Sequence, residues 1–188
     1  MLQSDTFQSS PEYRHEGKFC SVWPYLRGHF DRDFLYKIWC LIEAEQDWPT
    51  LLWEIPPSDT PIDQRGDLIE WIHYMESILD PKSLLMVQDN QSKEIAGLIW
   101  FNRQKADSAH GAIWMSKKYR GGYTREAVKL GLEYAFYARG WKTVYAITPW
   151  AIARNLLRKC GWTQLAKVPE VYGRDVYMMA IKEQNYGR

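Results

Sequence analysis

Two adjacent glycines, Gly121 and Gly122, separate an apolar run of strand character, Ala109 to Met115, from an amphipathic run, Thr124 to Ala138, that stops at Gly140. Few folds accommodate this. Strand, tight loop and helix must follow one another, and glycine lets the backbone come close to a ligand at the turn. The first amides of a helix lack internal partners and carry the positive end of its dipole, so a pyrophosphate at Gly121 to Thr124 would be held by backbone donors. Lys117, Lys118, Arg120 and Arg125 add charge there. A glycine turn before a helix is also common without any ligand, and the rest of the chain must decide between cradle and plain turn.

Periodicity supplies the neighbours. Lys18 to Tyr25 reads as a first, edge strand, and Asp31 to Glu45 as a helix with Phe34, Leu35, Ile38, Trp39 and Ile42 at helical spacing. The proline-rich stretch Trp48 to Pro61 is a loop long enough to suggest function, and Asp63 to Leu79 is a second helix. Leu84 to Val87 and Ile95 to Phe101 form a hairpin, followed by the strand, loop and helix described above. Thr143 to Thr148 is a strand, Ala151 to Cys160 a short helix, and Thr163 to Val168 with Val176 to Lys182 a closing strand pair. The expected class is α/β (α+β), a mixed central sheet of about six to seven strands with about four helices.

Composition excludes several functions. The 188 residues are 46% apolar and 25% charged, the make-up of a single globular domain, expected over residues 17–188 behind a flexible tail at 1–16. No apolar run approaches the roughly 18 residues that cross a bilayer, so no membrane partner is expected. The cysteines, Cys20, Cys40 and Cys160, are widely spaced and odd in number, which fits a reducing cytoplasm and neither a disulfide framework nor a zinc site. The four histidines show no metal-ligand spacing, so no metal is expected. A net charge of +1 argues against a nucleic-acid binder. That neutrality is uneven: residues 41–80 hold ten acids against Arg65 alone, and residues 103–159 hold twelve bases against three acids. Either the halves serve different ligands or both are solvated faces.

The run Lys117 to Ala127 resembles the phosphate-loop phrase of the GNAT N-acetyltransferases, Pro-Glu-Tyr-Arg-Gly-x-Gly-x-Gly-x-Glu-Ala. Gly97 in its strand and Lys159-Cys160-Gly161-Trp162, where that family has Lys-Leu-Gly-Phe, are similar too. The likeness is strong over residues 84–182 and extends to the first 80 by element order. It implies acetyl-CoA as cosubstrate, with the backbone of Ile113, Trp114 and Met115 pairing with the pantetheine arm and Arg120, Gly121, Gly122, Tyr123, Thr124 and Arg125 around the pyrophosphate. It implies an amine-bearing acceptor, small molecule or protein, and is compatible with a homodimer.

The departures bear on catalysis. The two glycines are adjacent, so the phosphate loop looks one residue short, and the family's usual Tyr general acid is replaced by Leu157. Its usual Asn and Ser positions hold Trp150 and Ala153. For a base, the aligned position of a frequent strand Glu is His110, able to take a proton from an ammonium near neutrality, although a His on a strand is more often a packed or surface residue. Glu54 in the proline-rich loop is a second candidate base. The acidic first half would favour cationic acceptors such as a lysine, a chain N-terminus or a polyamine. A silent domain serving as a binding or structural module is the alternative.

Overall fold

The computed structural model describes residues 14–24, 32–45, 83–171 and 174–187. Their strands form one sheet. The strands are β1 (His15–Glu16), β2 (Cys20–Pro24), β3 (Leu84–Asp89), β4 (Ile95–Lys105), β5 (Ser108–Met115), β6 (Thr143–Thr148), β7 (Thr163–Val171) and β8 (Arg174–Lys182). Their order across the sheet is β1-β2-β3-β4-β5-β6-β8-β7. Every pair is antiparallel except β5 with β6. The eighth strand is β1, two residues long inside the span read as tail, and too short for any periodicity to betray.

Three α-helices stand among the described residues: α1 (Arg32–Glu45), α2 (Gly122–Glu133) and α3 (Ala151–Lys159). The stretch expected to form the helix Asp63 to Leu79 lies outside the described residues. Helix α2 starts two residues before the expected Thr124, because a glycine at the first turn hides a start that propensity alone would place later. Beyond Glu133 the chain opens into a π turn, Tyr134–Ala138, that ends at Arg139. Tyr186 clamps the helix from the C-terminal end, donating its hydroxyl to Lys129 O at 3.0 Å.

Strand alternation sorts the core. Leu85, Val87, Ile99, Phe101, Ala109, Met115, Val144 and Met179 share one buried cluster with Val128, Leu132 and Ala135 of the α2 segment and Leu157 of α3. Leu84, Met86, Leu98, Trp100 and Trp114, which alternate with these, are buried as well, so the middle strands are apolar on both faces. This explains their unbroken hydrophobic reading.

The parallel pair decides where a site can be. β5 and β6 are in register only at Ser108↔Thr143, Ala109↔Val144 and His110↔Tyr145, and then part. From Gly111 onward β5 is bonded to β4 on one edge only, down to Gly97↔Met115. Gly97 is required at that point, since a Cβ there would stand 2.3 Å from the Trp114 carbonyl.

Candidate functional site

The first half of the site is the loop leaving β5. After Met115 the chain makes a 3-10 turn, Lys117–Tyr119, and enters α2 through Gly121, whose φ of 90° and ψ of −116° suit glycine alone. The first helical hydrogen bond runs from Arg125 N to Gly121 O at 3.1 Å. The amides of Gly122, Tyr123 and Thr124 therefore precede it, at a helix end with no side-chain cap and no acid in its first turn. Nothing lies within 4 Å of a Cβ placed on Gly121 or Gly122, so the approach to these donors is open. This is the geometry of an anion cradle.

Its side chains are turned to support. Tyr119 donates its hydroxyl to Glu94 at 2.8 Å, and Lys118 Nζ meets the same carboxylate oxygen at 2.8 Å. Those two partners hold the Glu94 carboxyl below its ordinary range, with Lys118 the larger influence. The Tyr123 ring packs on Phe19 and Tyr119 at 5.3 Å each, so its share in a ligand site is its backbone. Arg120 Nε donates to Met115 O at 3.1 Å, and Arg125 reaches the last carbonyl of α3, Lys159 O, at 3.4 Å. Trp114 and Met115 are buried, which leaves backbone as their offering too.

Two acids that the sequence did not single out position the cradle. Glu45, at the end of α1, accepts from Ser116 Oγ and, at 2.8 Å, from Lys117 N. Glu126, in the first turns of α2, accepts the amides of Lys18, Phe19 and Cys20 at 2.7, 2.7 and 2.9 Å. Burial pushes the Glu126 carboxyl up, yet the three backbone donors prevail and its pKa ends below the ordinary value. Both reach segments far away in sequence, which no local pattern of residues announces.

The second half is a cavity of about 160 Å³ where β5 and β6 part. Gly111, Ala112 and Ile113 of β5, Ala146, Ile147 and Thr148 of β6, Val128, Gly131 and Leu132 of α2, and Trp150, Ala153, Leu156, Leu157 and Trp162 around α3 are among its walls. None of the described residues that line it is ionisable. The polar hydrogens come from Thr148, whose Oγ1 accepts Trp150 N at 3.1 Å, and from tryptophan indoles. The Nε1 atoms of Trp150 and Trp162 are buried with no hydrogen-bond partner among the described residues. Helix α3 ends in a Schellman turn, Gly161 N to Arg158 O at 3.0 Å and Trp162 N to Leu157 O at 3.1 Å, which sets Trp162 beside Leu157.

The remaining candidates divide. His110 sits at the apex of the parting, paired in register with Asn102 and Tyr145, half-buried, and burial lowers its pKa below the ordinary 6.5. It is not among the residues lining the cavity, though the next residue, Gly111, is. Glu54 lies outside the described residues. No group of acids, histidines and cysteines that could hold a metal ion occurs among the described residues. No helix among them is long and apolar enough to cross a membrane.

Strand β5 links the two: Gly111 to Ile113 line the cavity, and the loop after Met115 leads to the open amides of α2. The open amides suit an anionic group, and the cavity suits an uncharged one.

A model of the acetyltransferase (GNAT) domain matches residues 29–163. The solved spermidine N-acetyltransferase from Vibrio cholerae in complex with CoA and spermine is 20% identical, with a TM-score of 0.66 over 90% of this chain and 98% of that one. An acetyltransferase of the GNAT family from Bacillus anthracis is 16% identical, with a TM-score of 0.66 over 91% and 99%. A chimera of the Vibrio cholerae spermidine N-acetyltransferase and hSSAT is 18% identical, with a TM-score of 0.67 over 90% and 99%. At such identities the likeness is one of fold. No curated protein matches the chain.

Proposed function

The chain belongs to the GNAT acetyltransferase family, and on that premise we propose that it transfers the acetyl group of acetyl-CoA to a primary amine by direct attack, with a small polyamine-like amine as the leading acceptor and a protein lysine or N-terminus next. The observation that carries this is that β5, unpaired with β6 beyond His110, lines the cavity at Gly111 to Ile113 and then leads into the loop before the open helix N-terminus. The spermine bound in the Vibrio cholerae structure supports the choice of polyamine as first acceptor.

Acetyl-CoA supplies an activated thioester. The protein's part is to hold and orient it. The amides of Gly122 to Thr124 would take the pyrophosphate, and the backbone of Ile113 to Met115 the pantetheine arm. The cavity walls then exclude water from the reacting carbonyl, so that much of the acceleration comes from placing the amine within reach. His110 serves as the base in this reading. Its lowered pKa keeps the imidazole neutral, the form that can accept a proton, at and below neutrality.

One observation favours the silent-module alternative: the cavity's described walls hold no ionisable side chain, Leu157 included. A single pair of measurements separates the two readings. Calorimetry with acetyl-CoA should give binding near micromolar, about −8 kcal/mol, and spermidine with acetyl-CoA should yield acetylspermidine by mass spectrometry. Absence of acetyl-CoA binding would overturn both the cradle and the enzyme, and binding with no acetylated product from spermidine, a lysine peptide or an N-terminal peptide would leave the module.

A further inference from the structure

Of the twelve bases in residues 103–159, five stand on two helices: Arg125 and Lys129 on α2, and Arg154, Arg158 and Lys159 on α3. Helix α3 contains no acid. Arg125 joins the helices, donating Nη2 to Lys159 O at 3.4 Å, and Lys129 lies one turn further along α2. The charges of both converge on one point. Burial pushes the Cys160 thiol up, and Arg125 and then Lys129 oppose it. Arg125, Lys129 and Lys159 are exposed, so a ligand can reach them.

The fold alone does not account for this grouping. The first turn of α2 holds a base, Arg125, and no acid, the reverse of what the helix dipole favours. Arg125 and Lys129 are moreover like charges at i and i+4, an arrangement that weakens a helix. The acids nearest Lys129 on α2 are turned elsewhere. Glu126 accepts the amides of Lys18, Phe19 and Cys20, and Glu133 meets the Tyr186 hydroxyl at 3.1 Å and His15 Nδ1 at 3.4 Å. No carboxylate among the described residues pairs with Arg125, Lys129 or Lys159. The dipole of α3 explains Lys159 in its last turn, but neither base on α2.

We propose that Arg125, Lys129 and Lys159 bind the 3′-phosphate of the coenzyme, and so select coenzyme A over dephospho-coenzyme A. The inference rests on the acyl-transfer reading above, which puts the pyrophosphate on the amides of Gly122 to Thr124. Reach and charge choose the group. One ribose separates the pyrophosphate from the 3′-phosphate; Arg125 directly follows the last open amide, and Lys129 stands about 6 Å further along the helix. A phosphate monoester carries about −1.5 to −2 charges near neutrality and accepts several hydrogen bonds at once. Three cations match it. Arg125 has further guanidinium N–H groups beyond the one given to Lys159 O.

Calorimetry at low salt with coenzyme A and with dephospho-coenzyme A tests this on the wild type, Lys129→Gln, Lys159→Gln and the double variant. An exposed ion pair contributes roughly two- to fivefold, so the wild type should prefer coenzyme A about tenfold, and less as salt rises. Each single variant should cut that preference about twofold, and the double variant should bring it to within about twofold of equality. Affinity for dephospho-coenzyme A should stay within about twofold throughout. The 3′-phosphate also reports directly. Its 31P resonance titrates near pH 6 when free, or about there, and should titrate lower when bound to the wild type and close to the free value on the double variant.

Equal affinity of the wild type for the two cofactors, or a preference that survives in the double variant, overturns the assignment and leaves acyl transfer standing. If the double variant instead loses affinity for a short RNA while keeping its cofactor preference, the basic face serves a nucleic acid and the proposal fails. Failure of the wild type to bind either cofactor overturns the acyl-transfer reading itself.

Discussion

The cradle and the cavity solve opposite problems with the same chain. At the cradle, exposed backbone dipoles meet charge, and side chains such as Tyr119, Glu94 and Glu126 hold that backbone from behind. In the cavity, side chains form the wall, and those described carry no charge. Exposed charge recognition is weakened by salt, whereas hydrogen bonds in a dry apolar space are not. The two ends should therefore come apart under the right perturbation, affinity following the first and turnover the second.

The largest separation is expected from His110→Ala. If the base stands at the apex where β5 and β6 part, turnover should drop about a hundredfold or more, with acetyl-CoA affinity unchanged by calorimetry. The pH profile sharpens this. Burial places the imidazole pKa below 6.5, so the wild-type rate should hold through neutrality and fall only at more acid pH, a limb the variant should lack. The same burial adds a stability dependence: below 6.5 the unfolded chain binds a proton before the folded one, so stability declines as pH falls through that window. Unchanged turnover in the variant would confine His110 to packing.

Glu126→Gln attacks the cradle end from behind. Three amides of the β2 entry share its carboxylate, and replacing a charged acceptor by a neutral one should cost about 1.5–3 kcal/mol, read as a lowered Tm at pH 7. The folded pKa is depressed, so the contribution is present above the unfolded value of 4.5 and is lost as pH falls through the folded one. Wild type and variant should thus converge in stability in acid. Equal Tm values at pH 7 would show that β1 and β2 do not need the clasp.

Much of the cradle was legible because it is built from contiguous residues. Adjacent glycines after an apolar run and before an amphipathic one leave few alternatives, and the observed β5, turn and α2 follow that order. The cavity was legible only in outline. Its walls come from β4, β5, β6, α2 and α3, and nothing in the spacing of Trp150 and Trp162 says that both end on the same cavity. With ten tryptophans in the chain, core packing was the better guess for any one of them. Glu45 and Glu126 escaped notice for a related reason: a lone acid in an amphipathic helix looks solvated until the segment it clasps is folded against it. Leu157 is the converse, a missing hydroxyl that the resemblance exposed and the cavity wall confirms as apolar.

The smallest effect is also the most diagnostic. Gly122→Glu places an acid in the first turn of α2, which has none, at a position with open space for its side chain and four residues before Glu126. A carboxylate there gains about 0.3–1 kcal/mol from the helix dipole, and the loss of glycine's flexibility adds to it, against about 0.2–0.5 kcal/mol of repulsion from Glu126 at i+4, so the fold should be slightly stabilised. For a phosphate ligand the same charge is a competitor, so acetyl-CoA affinity should fall about two- to fivefold at low salt and recover partly as salt screens the repulsion. Turnover at saturating acetyl-CoA should not change, because the cavity is untouched. A plain turn would show the first effect without the second. Higher Tm together with undiminished affinity would therefore move the pyrophosphate away from Gly122 and break the division of labour between the two ends.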